Sequence, residues 1–173
     1  LERASSRTER AQLFQEIIEV VLDNLREHIL HHWKTRGFDS STNVATTFKA
    51  LIPGSEARRL TKKSELHGSG YSIRDEETYL VTYSRDRSCR NSSDPTLKRE
   101  VLTKIYSSSA NTAFEKIVQH RDPQFVCNNL QNYPGGYRNE NEQWRKFYNA
   151  AQAVRVGCPN TEDNPDGELF GIL

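Results

Sequence analysis

Cys89 stands between Arg87 and Arg90 in the run RDRSCRNSSD, a pattern that offers nucleophilic chemistry. Guanidinium groups beside a thiol favour the thiolate, so this spacing predicts a lowered thiol pKa and a reactive sulfur; the plainer alternative is an ordinary surface cysteine. Cys127 and Cys158 lie far along the chain and no CxxC occurs, which argues against a zinc knuckle or a disulfide framework and leaves a reducing setting as the default. Cys127, in the run QFVC, is expected to be buried. His28 and His32 are four apart with His31 beside them, a spacing that can chelate a metal from one helix face. Their neighbours do not complete a ligand set in this reading, so a polar helix face without metal is expected. No Ser-His-Asp or paired-carboxylate spacing stands out: Asp75, Glu76 and Glu77 read as a solvated charge run, and no catalytic residue is assigned. Asn91-Ser92-Ser93 fits a glycosylation sequon, a match that is frequent by chance and is accompanied by no secretory signal.

A second candidate is the stretch SSSANTAF, residues 107–114. Small residues at the start of a helix leave room beside a sheet, and the free backbone N–H groups of a first turn favour an anionic or carbonyl group. Ser109, Asn111 and Thr112 are then the polar contacts of an otherwise apolar pocket, with Phe48, Tyr83, Phe114 and Phe125 as its walls. The alternative is that Asn111 and Ser109 cap the helix while the aromatics pack as core.

The elements that must position these residues follow from the pattern. The chain has 173 residues, enough for about one domain with a real core. Lys plus Arg number 24 against 23 for Asp plus Glu, and the net charge of +1 gives no field to steer nucleic acid or anionic lipid. A mean hydropathy of −0.80 and apolar runs of only a few residues give neither a transmembrane span nor a signal peptide. The chain starts at leucine, contains no methionine and stops at Leu173 inside an apolar run, so an excised piece of a longer protein is expected.

From Thr8 to about Arg36 the pattern is helical, with Phe14, Ile18, Val21 and Leu25 in one stripe that Leu13, Ile17, Val20 and Leu22 widen, and Gly37 as the stop. Thr42 to Ile52 alternates as a strand and ends at the turn signal Pro53-Gly54; Arg58 to Leu66 reads as a second, edge-like strand; GSGYS reads as a joint; and TYLVTYS, Thr78 to Ser84, has the composition of a central strand. Arg85 to Asp94 is polar enough to predict a solvent-facing loop. Asp94-Pro95 opens a helix through Leu97, Val101, Leu102 and Ile105, and one of Ser107 to Ser109 caps a second, carrying Ala113, Phe114, Ile117 and Val118. Asp122-Pro123 ends it before the strand QFVC. A loop NYPGGYRNENEQ, a short aromatic helix with Trp144, Phe147 and Tyr148, the strand AQAVRVGC, the connection PNTEDNPDG and a last strand ELFGIL complete an α+β order with a mostly antiparallel sheet.

That order resembles a GAF domain, the small-molecule sensory module akin to PAS domains, over about residues 10–173. SSANTAFEKIVQHRD is similar to the family's helix leading to a short strand like QFVCNN; NAAQAVRVGCPN looks like its strand before a proline turn, and GELFGIL like its final strand with a G-x-x-x-G pattern. Gly157-Cys158-Pro159 departs from the usual apolar residue after that turn. The bilin-binding branch's signatures are absent, the clustered cysteines of the methionine sulfoxide reductase branch are not reproduced, and NTAF matches the cyclic-nucleotide signature Asn-Lys-x-x-Phe neither in its lysine nor in its spacing.

The resemblance implies a central, mostly antiparallel sheet with the N-terminal helix on one face and short helices forming a pocket on the other. It implies an N-terminal helix (1–36) that links or dimerises and a sensor domain (37–173). The expected function is a regulatory sensor or protein-interaction domain of a larger cytoplasmic signalling protein, with an unidentified small molecule as ligand, no named cofactor, and a parallel homodimer through the N-terminal helix. A ligand between the sheet and the residue 97–120 helices would bias how that helix pairs. Glutamate at Val20 and Leu22 is expected to give a folded monomer. The alternatives are a thiol enzyme of the free methionine sulfoxide reductase type, dependent on Cys89, and a ligand-less interaction module.

Overall fold

The computed structural model describes residues 2–37, 44–63, 72–91, 105–140, 144–158 and 168–173. The expected helix from Asp94 through Val101, most of the GSGYS joint and the PNTEDNPDG connection lie outside the described residues. Helix α1 (Glu2–Thr35) opens the chain and strand β1 (Thr47–Pro53) follows. Next come α2 (Gly54–Lys63), β2 (Thr78–Arg85), the one-turn helix α3 (Arg87–Arg90) and β3 (Ile105–Ser107). Helix α4 (Thr112–Phe114) passes into a π turn over Glu115–Gln119, and β4 (Gln124–Cys127), α5 (Trp144–Phe147), β5 (Ala151–Cys158) and β6 (Glu168–Ile172) complete the order.

The strands form one open six-stranded sheet in the order β3-β2-β1-β6-β5-β4. The pairings β2–β3, β1–β6, β5–β6 and β4–β5 are all antiparallel. The α+β class and the antiparallel sheet expected from the sequence are therefore present. Two compact units divide the chain, one comprising Leu1–Phe48 with Thr82–Val101 and the other Lys49–Val81 with Leu102–Leu173.

In the first unit, α1 is anchored along its second half. Leu22 is completely buried, and Ile18, Leu25, Ile29 and Trp33 are half-buried at helical spacing around it. The Thr46 hydroxyl donates to the Leu22 carbonyl at 2.9 Å, and the Arg26 guanidinium donates to the Val44 carbonyl at 3.0 Å. From Thr8 to Ile17 every residue is exposed.

The second unit has two apolar clusters. Ala57 and Leu60, three apart on α2, meet Tyr79, Ile105, Ile52 and Ile73. This corrects the expectation of an edge strand over the described part of Arg58 to Leu66: as far as Lys63 the run belongs to an amphipathic helix of good helix formers, which places Ala57 and Leu60 on one face. Gly54 opens α2 by donating to the Glu77 carbonyl at 2.9 Å, and a Cβ there would lie 1.8 Å from the Arg74 carbonyl oxygen, so only glycine permits this approach. The larger cluster gathers Leu80, Tyr106, Phe114, Ile117, Phe125 and Trp144 with smaller neighbours. Lys49 places its ammonium 4.1 Å from the Tyr106 ring centroid, a cation–π contact on this cluster. Ile105, expected at the end of a helix, begins β3 instead, because its side chain is shared by the α2 cluster.

Candidate functional site

The predicted pocket residues fall as follows. Phe48, buried on β1, and Tyr83, half-buried on β2, belong to the first unit. Their rings meet edge-on at 6.0 Å, and Phe14 of α1 packs on Tyr83 at 5.7 Å. Ser109, Asn111, Thr112, Phe114 and Phe125 belong to the second unit, where the residues of α4 and the 133–138 loop come together.

Asn111, and not one of the serines, is the N-cap of α4. Its Oδ1 accepts the Ala113 N–H at 2.8 Å and the Tyr137 hydroxyl at 3.0 Å. Thr112 clips the same loop in both directions: its N–H donates to the Arg138 carbonyl at 3.1 Å, and its hydroxyl accepts the Arg138 N–H at 2.9 Å. The Arg138 guanidinium adds an ion pair with Glu115. Gly135 and Gly136, both at positive φ, turn the loop so that Tyr137 and Arg138 reach α4. Tyr137 is held between Phe125 at 6.0 Å and Trp144 at 5.1 Å, and burial pushes its phenol pKa up. Phe114 packs edge-on against Tyr106 at 6.0 Å. The polar groups expected to meet a ligand thus have partners in the chain, and of the aromatic walls Phe48, Phe114 and Phe125 are buried while Tyr83 is half-buried. The signal in the sequence was an asparagine two residues before Ala113, which fits a cap as well as a ligand contact.

Ser109 is exposed and lines a surface recess of about 330 Å³ with Glu77, Thr78, Ser107, Ser108, Val118 and Gln119. The Gln119 amide donates to the Ser108 hydroxyl at 3.2 Å, and the Ser107 and Ser109 hydroxyls lie 2.9 Å apart.

Cys89 corrects the sequence reading on two counts. The run from Arg85 is not a solvent-facing loop at its start: Asp86 is completely buried and Cys89 nearly so. Asp86 caps α3, and its carboxylate accepts the Thr46 N–H at 2.6 Å, the Cys89 N–H at 3.2 Å and the Ser88 hydroxyl. The Arg26 guanidinium lies 3.6 Å away. Burial works to raise the Asp86 pKa, but the bonds from Ser88, Thr46 and Cys89 outweigh it and hold the carboxyl below the usual range. The Cys89 thiol is pushed up instead of down, first by burial and then by the Asp86 charge. Arg90 and Arg87 turn to α1: Arg90 reaches Asp23 at 3.3 Å and Glu19 at 3.5 Å, and the Arg87 N–H donates to Asp23 at 2.5 Å. Cys127 is half-buried and Cys158 exposed.

The remaining feature is on α1. Leu13, Phe14, Ile17, Val20 and Val21 are all between 47% and 58% exposed and share one face centred on Ile17, opposite the face that carries Leu22. Leu22 therefore does not belong to the exposed stripe with Val20, and glutamate at position 22 tests the core, not an interface.

Among the described residues, no group of three or more His, Cys, Asp or Glu side chains is placed to hold a metal ion. Among the same residues, no helix is long and apolar enough to cross a membrane. Comparison with protein-family models, with curated proteins and with solved structures gave no match to this chain.

Proposed function

We propose that this chain is a GAF-like regulatory module of a larger cytoplasmic signalling protein, working through protein contacts made by α1. The open antiparallel sheet preceded by a long helix is compatible with that architecture. One observation carries the interaction reading: five large apolar side chains stand exposed on a single face of a helix whose opposite face is anchored. The exposed first half is held by little beyond the Phe14–Tyr83 ring contact, and isolated helical segments of this length are marginal in water, so a covered face would help to hold it helical. The partner is a second copy of the chain. Any event that alters how α1 sits on Thr46, Asp86 and Arg90 would shift the population of the paired form.

Size-exclusion chromatography with light scattering tests this. Ile17→Glu and Val20→Glu are expected to give a folded monomer, because both side chains are exposed, with a thermal unfolding that no longer depends on protein concentration. Mutants that associate as the wild type does would exclude the α1 face.

A sensing role for the same module is favoured by the recess at Ser107 to Ser109, whose hydroxyls and the Gln119 amide suit a small polar ligand. Native mass spectrometry checks it: a retained small molecule, lost in Ser109→Trp, supports the recess, and a bare chain mass removes this reading.

A further inference from the structure

Strand β4 closes one end of the sheet, and the hydrogen bonds of its neighbours show which of its backbone groups face outward. The Arg155 N–H donates to the Pro123 carbonyl at 3.2 Å, and the register pairs Phe125 with Ala153 and Cys127 with Ala151. Bonding residues alternate along an antiparallel pair, so Pro123, Phe125 and Cys127 turn their backbone groups to β5, while Gln124 and Val126 turn theirs away. Reciprocal bonds between Val154 and Leu173, at 2.8 and 3.0 Å, fix the same alternation from the other side of β5. Two N–H and two C=O groups therefore stand along the edge at Gln124 and Val126, and among the described residues no backbone group bonds to them.

The side chains leave this edge receptive. Val126 is 54% exposed on the sheet face opposite Phe125, with Val154 diagonal to it on β5, and no charged residue lies between Gln124 and Leu130. The strand thus lacks the lysine or inward-pointing charge that commonly blunts such an edge. A second copy fits it badly. β4 ends at Cys127, so two copies use both outward residues only in the register centred on Phe125, which sets each Val126 against a Gln124. A free segment can place an aliphatic side chain there instead.

We propose that β4 accepts an extended, uncharged segment of another protein as an added antiparallel strand, with aliphatic side chains opposite Gln124 and Val126 and a smaller residue between them beside Phe125. The backbone at Gln124 and Val126 supplies the hydrogen bonds, and Val126 with Val154 supplies the apolar contact. This edge belongs to the second unit and does not depend on the pairing of α1.

The probe is the capped peptide acetyl-Thr-Val-Thr-Val-Thr-amide, followed by amide NMR on the whole chain. In the free chain the Gln124 and Val126 amides should exchange fast and those of Phe125 and Cys127 slowly. Slow exchange at Gln124 and Val126 would mean that the chain covers its own edge, and overturns the proposal. Peptide at millimolar concentration should shift and protect the Gln124 and Val126 amides. N-methylation of both valines, whose N–H groups face β4, should weaken binding about tenfold or more, whereas N-methylation of the central threonine, whose N–H faces away, should leave it near that of the parent. Val126→Lys, at an exposed position, should weaken binding likewise while the chain stays folded. A peptide that does not bind, or that loses affinity equally from the two methylations, overturns the added strand. Self-association of an Ile17→Glu chain that Val126→Lys abolishes would give the edge to a second copy and overturns the partner named here.

Discussion

The Asp86 carboxylate accepts the Thr46 backbone N–H at 2.6 Å, and the Asp86 N–H donates back to the Thr46 carbonyl at 3.0 Å. This reciprocal pair joins the residues entering β1 to those leaving β2, and the Thr46 hydroxyl extends it to the α1 carbonyl of Leu22. A buried anion with this many donors is costly to lose. Asp86→Ala strands the buried Thr46 N–H and leaves Arg26 with only the exposed Glu27 as counter-charge, so a loss of about 3 kcal/mol is expected by urea unfolding.

The same carboxylate sets an acid limit. Its folded pKa lies below its unfolded value near 4, so its contribution to stability is complete above that value and is lost as pH falls through the folded pKa. Thermal unfolding of the wild type should thus weaken steeply below about pH 4, and Asp86→Asn should flatten that part of the profile. An equally steep profile in Asp86→Asn would assign the acid sensitivity to other groups.

Thiol reactivity separates the three cysteines. Cys158 is exposed, whereas the Cys89 thiol is buried beside an anion that raises its pKa. With a disulfide reagent at neutral pH, Cys158 is expected to react quickly and Cys89 only after unfolding. Fast modification of Cys89 in the native chain would contradict the position of Asp86 over it.

The α4 corner is a matter of capping. Asn111→Ala removes the acceptor for both Ala113 and Tyr137 and should cost about 1–2 kcal/mol, with Asn111→Asp retaining most of the stability. Tyr137→Phe, which leaves the cap and the ring packing, should cost less than Asn111→Ala. A larger loss from Tyr137→Phe would mean that the phenol, not the cap, holds the loop.

A bulge fixes the β5–β6 register between Val156 and Gly157. There a Cβ on residue 157 would sit 1.9 Å from the Glu168 carbonyl oxygen. Gly157→Ala is expected to destabilise by about 1–3 kcal/mol as that backbone is forced apart. A neutral effect would mean that the strands slip freely at this point.

Much of the fold was legible in the sequence. TYLVTYS, QFVC, AQAVRVGC and ELFGIL became strands and Thr8 to Arg36 a helix, because their periodicity was long or their β-branched content high. Arg58 to Leu66 misled because a charged run with so few apolar residues fits a weak strand as readily as a helix, and the pairing of Leu60 with Ala57 against Tyr79 and Ile105 is what decides between them. Polarity failed at Asp86 and Cys89: a buried carboxylate has the sequence of a loop when two of the groups that compensate it, the Thr46 N–H and the Arg26 charge, come from far away in the chain. Leu22 and Val20 were indistinguishable by residue type, and the Thr46 contact to α1 is what separates core from exposed face.

Sedimentation velocity of the wild-type chain over a wide concentration range tests the central claim most directly. The account predicts a reversible rise from monomer to dimer mass that Ile17→Glu abolishes. A chain that remains monomeric at the highest concentration would contradict it.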